Sequence, residues 1–322
     1  MKASDYIVKF LVDHGTDTAF VFTGGAIAHI IDSMRNYKEK ISYYCVQNEQ
    51  VGAMAAEAYT RTTGRMGVQM VTSGPGASNM ITGIAGAWYD CIPAVYLSGQ
   101  VRTWELTNTD QVISNDRTDE EMKKGLLQRG FQEIDIVNIV KPITKYAVTI
   151  KDSNQVKYHL QKAIHLATTG RPGPVWLDIP LDIQSKMITP DECPSFEPEE
   201  QEAPDNSSLK EQVSQCVELL KNSERPVLIS GYGIRLAKGE KEFLQLVQKL
   251  GIPVISSWTT SDLISSFHEL YIGRSGNFGD RAGNFTVQNS DLLLSIGSRL
   301  SVPQVGYNFS LFARAAKKII VD

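Results

Sequence analysis

The chain has 322 residues, 42% of them hydrophobic, with 32 basic and 36 acidic side chains and a formal net charge of −4. This length predicts two domains, and the hydrophobic content is sufficient for a core in each. The Lys and Arg residues are scattered, which excludes a basic stripe for nucleic acid. We find neither a signal peptide nor an apolar run of transmembrane length, so we expect a cytoplasmic protein without a membrane partner.

Strands and helices alternate through the first 184 residues, which predicts a parallel sheet with helices on both faces. The predicted strands are 18–22, 41–46, 66–72, 93–98 and 174–178, and the predicted helices are 3–14, 26–36, 49–63, 77–89, 133–139 and 153–168. Residues 101–130 are polar and lack periodicity. A loop of that length is typical of a lid or an interface arm, and equally of surface elaboration.

Three successive turns from strand to helix carry residues that suit a ligand site. The first reads Thr23-Gly24-Gly25-Ala26, the second leads into Glu49, and the third reads Ser73-Gly74-Pro75-Gly76-Ala77-Ser78-Asn79. Asn48 is a suitable N-cap for a helix that begins at Glu49. Because parallel strands end at one edge of their sheet, where such folds bind ligands, we expect these turns to form one site.

Residues 185–207 are rich in Pro, Glu, Asp, Asn and Ser, which predicts a linker. A second α/β unit follows at 208–322. Its predicted strands are 226–230, 252–256, 291–296 and 318–321, and its predicted helices are 208–222 and 238–250. Gly231 and Gly233 follow the first of these strands, and Arg299 follows the third. Glycines at strand ends are consistent with a bound dinucleotide, but any compact α/β domain also needs them.

In this order and spacing, the motifs resemble thiamine diphosphate enzymes, and specifically the acetolactate synthase group. The matching segments are Phe22-Thr23-Gly24-Gly25-Ala26, Asn48-Glu49-Gln50, Ala55-Ala56-Glu57-Ala58-Tyr59-Thr60-Arg61, Thr72-Ser73-Gly74-Pro75-Gly76-Ala77-Ser78-Asn79, Phe131-Gln132-Glu133 and Gly173-Pro174-Val175-Trp176-Leu177-Asp178-Ile179-Pro180. The resemblance covers essentially the whole chain. It implies two doubly wound parallel-sheet domains, namely a pyrimidine-binding domain at 1–184 and an incomplete Rossmann-like central domain at 208–322, without the family's third domain.

The resemblance also implies roles for individual residues. Glu49 matches the carboxylate that hydrogen-bonds N1′ of the aminopyrimidine and favours the tautomer that removes the C2 proton; the alternative is a solvated glutamate at a helix start. Gln132 matches a glutamine that reaches substrate or thiazolium, and it could equally be a solvated residue. The cofactor-binding residues that the resemblance implies are Phe22, Thr23, Gly24, Gly25, Thr72, Gly74, Pro75 and Asn79.

The implied reaction is carboligation of a 2-oxo acid after its decarboxylation. A related decarboxylase or lyase, and a noncatalytic nucleotide-binding relative, remain alternatives. Leu181 stands where biosynthetic acetolactate synthases commonly have a lysine, which leaves the acceptor open. A dehydrogenase on the second unit is disfavoured, because no strand is followed by Gly-x-Gly-x-x-Gly with a later acidic residue.

The family anchors the cofactor's diphosphate through a divalent cation at a Gly-Asp-Gly segment, and this sequence contains none. We therefore expect Mg²⁺ to bind through a third domain, on the rest of a longer polypeptide or, as a second possibility, on another chain. Cys45, Cys91, Cys193 and Cys216 are widely spaced, so we predict no metal site within this chain. Acetolactate synthases also hold FAD in the central domain. Here Gly231, Gly233 and Arg299 are candidate nucleotide contacts, but Gly231-Tyr232-Gly233 lacks the middle glycine of the flavin-binding members.

The resemblance implies a homodimer or homotetramer, since the family's active site lies between subunits. Gly52, Ala53 and Ala56 share a helix face with Glu49 at the predicted spacing. We expect that small-residue face to pack against a partner subunit, with Glu49 near the boundary.

Overall fold

The computed structural model describes residues 1–107, 128–199 and 207–322. Two compact units divide the chain, Met1–Glu200 and Gln201–Asp322. Most of the predicted loop at 101–130, and residues 200–206 of the predicted linker, lie outside the described residues. No described helix combines the length and the apolar character that crossing a membrane requires.

The first unit is built on a sheet of six parallel strands in the order β2-β1-β3-β4-β6-β5. The strands are β1 (Thr18–Val21), β2 (Ser42–Cys45), β3 (Gly67–Val71), β4 (Ala94–Gln100), β5 (Tyr146–Thr149) and β6 (Val175–Pro180). The predicted parallel sheet is confirmed. The sequence analysis did not predict β5, because this four-residue edge strand is only partly buried and shows no apolar alternation.

Helices cover both faces of this sheet. They are α1 (Ala3–Asp13), α2 (Ala28–Met34), α3 (Glu49–Thr63), α4 (Pro75–Ser78), α5 (Ile81–Tyr89), and three more at Ile136–Val140, Val156–Thr168 and Leu181–Ser185. One apolar core lies under α1, α2 and Val156–Thr168, and a second lies under α3, α5 and Ile136–Val140. The single helix predicted at 77–89 is two helices, α4 and α5, with Asn79 between them.

Helix α3 begins and ends as local rules require. Asn48 Oδ1 accepts hydrogen bonds from the backbone N–H groups of Gln50 at 2.9 Å and Val51 at 3.4 Å, so Asn48 is the predicted N-cap. At the other end, Gly64 has a φ of 71°, the left-handed conformation that commonly terminates helices. These two signals place Glu49 in the first turn.

The second unit has a sheet of five parallel strands in the order β11-β10-β7-β8-β9. They are β7 (Pro226–Ser230), β8 (Val254–Ser256), β9 (Tyr271–Arg274), β10 (Leu292–Ile296) and β11 (Lys317–Val321), and the helices are Leu209–Lys221, Gly233–Leu236, Glu240–Leu250, Arg281–Asn289 and Val302–Val305. The sequence analysis did not predict β9 or the helix Arg281–Asn289. Strand β9 is short and contains a glycine, which weakens the strand pattern in the sequence. This glycine, Gly273, has a φ of 129°.

The first part of the predicted linker packs onto the first unit. Ile188 and Cys193 are buried in its core. Lys157 Nζ donates to the carbonyl of Pro190 at 3.1 Å, and Phe196 N donates to Gln161 Oε1 at 2.8 Å. The first unit therefore continues beyond residue 184 and includes residues up to at least Phe196. The predicted domain limits at 184 and 208 stay predictions.

Candidate active site

The turns that the sequence analysis singled out meet at the carboxyl edge of the first sheet. Strand β1 lies between β2 and β3, so the segments that follow these three strands are neighbours. The chain runs from β1 to β2 on one side and then crosses to β3 on the other. Such a reversal of strand order opens a crevice at the sheet edge.

Glu49 lies in this crevice, and one of its two carboxylate oxygens accepts a hydrogen bond. Asn79 Nδ2 donates to Glu49 Oε2 at 2.7 Å. The other oxygen, Oε1, is adjacent to the Gly76 backbone, since a Cβ added at Gly76 would lie 3.4 Å from it. Glu49 is half-buried. The site therefore has an oriented carboxylate with one oxygen facing backbone that carries no side chain.

Thr72 is the residue on which two glycine turns close. A Cβ added at Gly24 would lie 2.4 Å from the Cβ of Thr72, and one added at Gly76 would lie 2.9 Å from its Cγ2. Thr72 Oγ1 accepts a hydrogen bond from Ala26 N at 3.3 Å. Any larger residue at Gly24 would push the turn after β1 away from β3.

Gln132 reaches the same edge through Gly74. A Cβ added at Gly74 would lie 2.2 Å from the Gln132 carbonyl oxygen, so only glycine allows this contact. Gln132 has a φ of 56°, a left-handed conformation that is unfavourable for a residue with a side chain. Its side chain is exposed. The structure thus places Gln132 beside the third glycine turn, 83 residues from Glu49 in sequence but next to the same crevice.

The remaining predicted cofactor residues lie at the same edge with fewer contacts. Thr23, Gly25 and Pro75 are exposed in the turns. Phe22 packs against the core beneath α3. The structure therefore brings together Glu49, Asn79, Thr72, Gly24, Gly74 and Gln132.

Residues that the sequence analysis did not single out also contact this constellation. Gln69 and Tyr96 lie inside β3 and β4 and donate to backbone carbonyls of α3. The carboxylate of Glu133, directly after Gln132, accepts hydrogen bonds from Thr107 and from the backbone of Arg129 and Gly130. A glutamine within an otherwise apolar strand was an available signal for Gln69, whereas no local pattern indicates the partners of Glu133.

The expectation that Gly52, Ala53 and Ala56 face a partner subunit is wrong. All three are buried within their own unit. A Cβ added at Gly83 of α5 would lie 2.5 Å from the Cβ of Ala53, and one added at Gly67 of β3 would lie 2.0 Å from the carbonyl oxygen of Ala56. Their small size lets α3 approach its own sheet and α5. The exposed apolar side chains in β2 and in the first half of α3 include Tyr43, Tyr44, Val51 and Met54.

Two family models match this chain. The model "Thiamine pyrophosphate enzyme, N-terminal TPP binding domain" matches residues 1–139, and "Thiamine pyrophosphate enzyme, central domain" matches residues 213–322. The chain belongs to the thiamine pyrophosphate (thiamine diphosphate) enzyme family. The crevice at Glu49 thus lies in the family's N-terminal cofactor-binding domain.

Similar curated proteins are acetolactate synthases. The chain is 33% identical to the probable acetolactate synthase large subunit of Methanocaldococcus jannaschii, over 100% of this chain and 51% of that protein. It is 34% identical to the acetolactate synthase large subunit of Corynebacterium glutamicum, over 100% of this chain and 48% of that protein. The chain spans about half the length of these relatives. Within the thiamine diphosphate enzymes it is therefore acetolactate synthase-like.

In the central domain, the predicted nucleotide-binding glycines Gly231 and Gly233 pack against the turn that follows β10. A Cβ added at Gly231 would lie 2.1 Å from the Gly297 carbonyl oxygen, and one added at Gly233 would lie 2.8 Å from the Gly297 Cα. Arg299 is exposed beside them. These glycines are thus required for packing between the turns after β7 and β10, whether or not a nucleotide binds. Among the described residues, no three His, Cys, Asp or Glu side chains form a group that could hold a metal ion.

Proposed function

We propose that this chain supplies the aminopyrimidine half of the active site in a thiamine diphosphate-dependent transferase, which joins a decarboxylated 2-oxo acid to an acceptor as acetolactate synthases do. The observation that carries the proposal is the Glu49 carboxylate, held on Oε2 by Asn79 and open on Oε1 beside Gly76. The acetolactate synthase relatives support the reaction type.

The geometry fits the aminopyrimidine ring in three ways. Glu49 Oε1 is available to share a proton with N1′ of the ring. Asn79 holds the other oxygen and so sets the plane of the carboxylate. Gly24 and Gly76 let their turns close onto Thr72, so the backbone next to the carboxylate carries no side chain that would keep a flat ring away. The bound cofactor itself supplies the carbon nucleophile at C2 of its thiazolium ring.

We propose that Gln132 contacts the substrate. Gln132 presents a side-chain amide at the rim of the crevice, where it can donate to a 2-oxo acid. We propose that Mg²⁺ and the diphosphate are held by a segment outside residues 1–322. We propose no role for a flavin, because the packing of Gly231 and Gly233 against Gly297 already explains why glycine is needed at these two positions. We place the complete enzyme in the cytoplasm.

We further propose that the complete enzyme is a homodimer or a homotetramer whose subunits meet beside Glu49. The support is the exposed apolar side chains of Tyr43 and Tyr44 on β2 and of Val51 and Met54 on α3, which precede and follow Glu49 along the chain. Exposed apolar surface marks protein interfaces when it is contiguous. This set replaces the buried small-residue face as the proposed contact surface.

Glu49→Gln tests the proposal. In the complete enzyme, meaning this chain together with the domain that anchors the diphosphate, proton exchange at C2 of bound thiamine diphosphate is followed by NMR in deuterated solvent. We expect the variant to exchange at least about 100-fold more slowly, because the amide cannot share the N1′ proton in the same way. Urea unfolding of the chain should stay within about 0.5 kcal/mol of wild type.

Glu39→Gln is the matched control, since Glu39 is exposed and its ion pair among the described residues is a long one, 4.0 Å, to Lys38. It should change neither measurement. Exchange that stays fast in Glu49→Gln, under conditions where Glu39→Gln is also fast, would remove Glu49 from the proposed role.

A further inference from the structure

Gln69 is a buried amide that contacts the start of α3 from below. It lies in the middle of β3, paired in register with Phe20 of β1 and Tyr96 of β4, and it has no exposed surface. Its Nε2 donates to the backbone carbonyl of Glu49 at 2.7 Å. Only the nitrogen end of the amide can make this bond, so its orientation is determined by the contact. The residue that carries the proposed chemistry is thus tied to the sheet through its own backbone.

Two features show that placing an amide at this position carries a cost in stability. Gln69 Oε1 is buried and has no hydrogen-bond partner among the described residues, and a buried unpaired acceptor destabilises the folded state. The space for the amide also requires Gly52, since a Cβ added there would lie 2.3 Å from Gln69 Nε2. Glycine inside a helix is itself unfavourable relative to alanine. An apolar residue at 69 with alanine at 52 would avoid both penalties.

A second side chain, that of Tyr96, contacts α3 from the neighbouring strand position that pairs with Gln69. The hydroxyl of Tyr96, which is fully buried, donates to the carbonyl of Ala53 at 3.3 Å. Glu49 and Ala53 are four residues apart, so their carbonyls lie one turn apart on the same side of the helix. Two neighbouring strands therefore hold the first two turns of α3 by polar side chains instead of by apolar packing alone.

We propose that Gln69 is a positioning residue, which sets the height and rotation of Glu49 over the crevice through the hydrogen bond to the Glu49 carbonyl. The inference rests on the proposed function for what Glu49 does, but the restraint on α3 stands on the geometry. Asn79 holds the carboxylate from one side, and Gln69 holds the backbone from the other. Together they limit the movement of Oε1 relative to Gly76.

Gln69→Met tests this, because methionine matches the length of glutamine and lacks both the donor and the unpaired oxygen. Hydrogen–deuterium exchange of the chain is measured by mass spectrometry on peptides that cover residues 47–56. We expect exchange in the first turn of α3 to be about fivefold faster, which corresponds to the loss of one hydrogen bond. The urea midpoint should be unchanged or higher. In the complete enzyme we expect turnover to fall by about tenfold with the KM for the 2-oxo acid unchanged.

Two further variants define the comparison. Met70→Leu changes the next residue of β3, whose side chain packs in the core on the opposite face, and should alter neither exchange at α3 nor turnover. Gly52→Ala leaves Gln69 in place but puts a Cβ where its amide lies. It should reproduce the faster exchange at α3, although alanine favours helix formation.

The result that overturns the proposal is a Gln69→Met variant with a clearly lower urea midpoint and unchanged exchange at α3, since that describes an ordinary core residue. Unchanged turnover of the complete enzyme would also overturn it. Faster exchange at α3 in Gln69→Met, combined with unaltered C2 exchange in Glu49→Gln, would instead reject the proposed function while supporting the restraint on α3.

Discussion

Glu49 and Asp178 are two carboxylates of the same unit with opposite surroundings. Glu49 starts a helix at the sheet edge, is half-buried, and receives a side-chain hydrogen bond on one oxygen, from Asn79. Asp178 lies inside β6 with 1% of its surface exposed. It accepts from Ser98 Oγ at 2.5 Å, Gln100 Nε2 at 3.1 Å and Thr149 Oγ1 at 3.0 Å.

The difference separates a carboxylate available for chemistry from one that joins strands. The three partners of Asp178 come from β4 and β5, so the carboxylate links three adjacent strands and has no open side. Burial raises its pKa to about 7, although the three hydrogen bonds act in the opposite direction. A raised pKa in a protein interior is therefore no sign of catalysis here, whereas an oxygen left open beside glycine backbone is the feature that suits a ligand.

The largest expected effect is that of Asp178→Ala on stability. This change removes the acceptor that the buried side chains of Ser98 and Gln100 and the half-buried hydroxyl of Thr149 share, so we expect a loss of about 3 kcal/mol in the free energy of unfolding. Urea unfolding followed by tryptophan fluorescence measures it, with Glu39→Ala as the surface control. A loss below about 1 kcal/mol would mean that the network reorganises and that Asp178 does not join the strands as described.

The pH dependence of stability is the next effect. Because folding raises the pKa of Asp178 from its ordinary value of 3.8 to about 7, the protonated form is the one that folding favours. Its contribution is fully present below the unfolded pKa and is lost as the pH rises through about 7. Relative to Asp178→Asn, wild type should lose up to about 1.4 kcal/mol of stability per pH unit between about pH 4 and about pH 7.

That prediction is checked by urea midpoints of both proteins across the same buffers. Subtracting the Asn variant removes the contributions of other titrating groups. A difference between the two proteins that is flat across this range would show that Asp178 keeps its unfolded pKa.

The smallest expected effect concerns the exposed apolar residues at the start of α3. Val51 is 56% exposed on α3, so Val51→Asp should leave the stability of the chain nearly unchanged. If subunits meet there, the buried charge should weaken association of the complete enzyme by about tenfold or more, as measured by sedimentation. Ala53→Trp is the contrasting variant: it should lower the stability of the chain itself, because Ala53 packs against Gly83. Association that is insensitive to Val51→Asp would move the interface elsewhere.

Local signals in the sequence determined much of the first unit. Alternating apolar strands and amphipathic helices predicted the parallel sheet, and Asn48 predicted the start of α3. The turns at Gly24 and Gly74 indicated the site, since parallel strands end at one edge and glycine allows close approach there. Their order along the chain was specific enough to indicate the family. The two strands that escaped, β5 and β9, are short, and their stability comes from their neighbours in the sheet rather than from their own pattern.

Only the tertiary structure decided which residues pack against each face of helix α3. Helical spacing shows that Gly52, Ala53 and Ala56 share a side of α3, but it cannot distinguish a partner subunit from the chain's own sheet, because both require small residues. The bond from Gln69 to the Glu49 carbonyl joins residues twenty positions apart through strand pairing that no local pattern records. The same holds for Asn79 and Glu49, thirty positions apart. Sequence thus determines which side chains are available at the edge, and packing determines which of them touch.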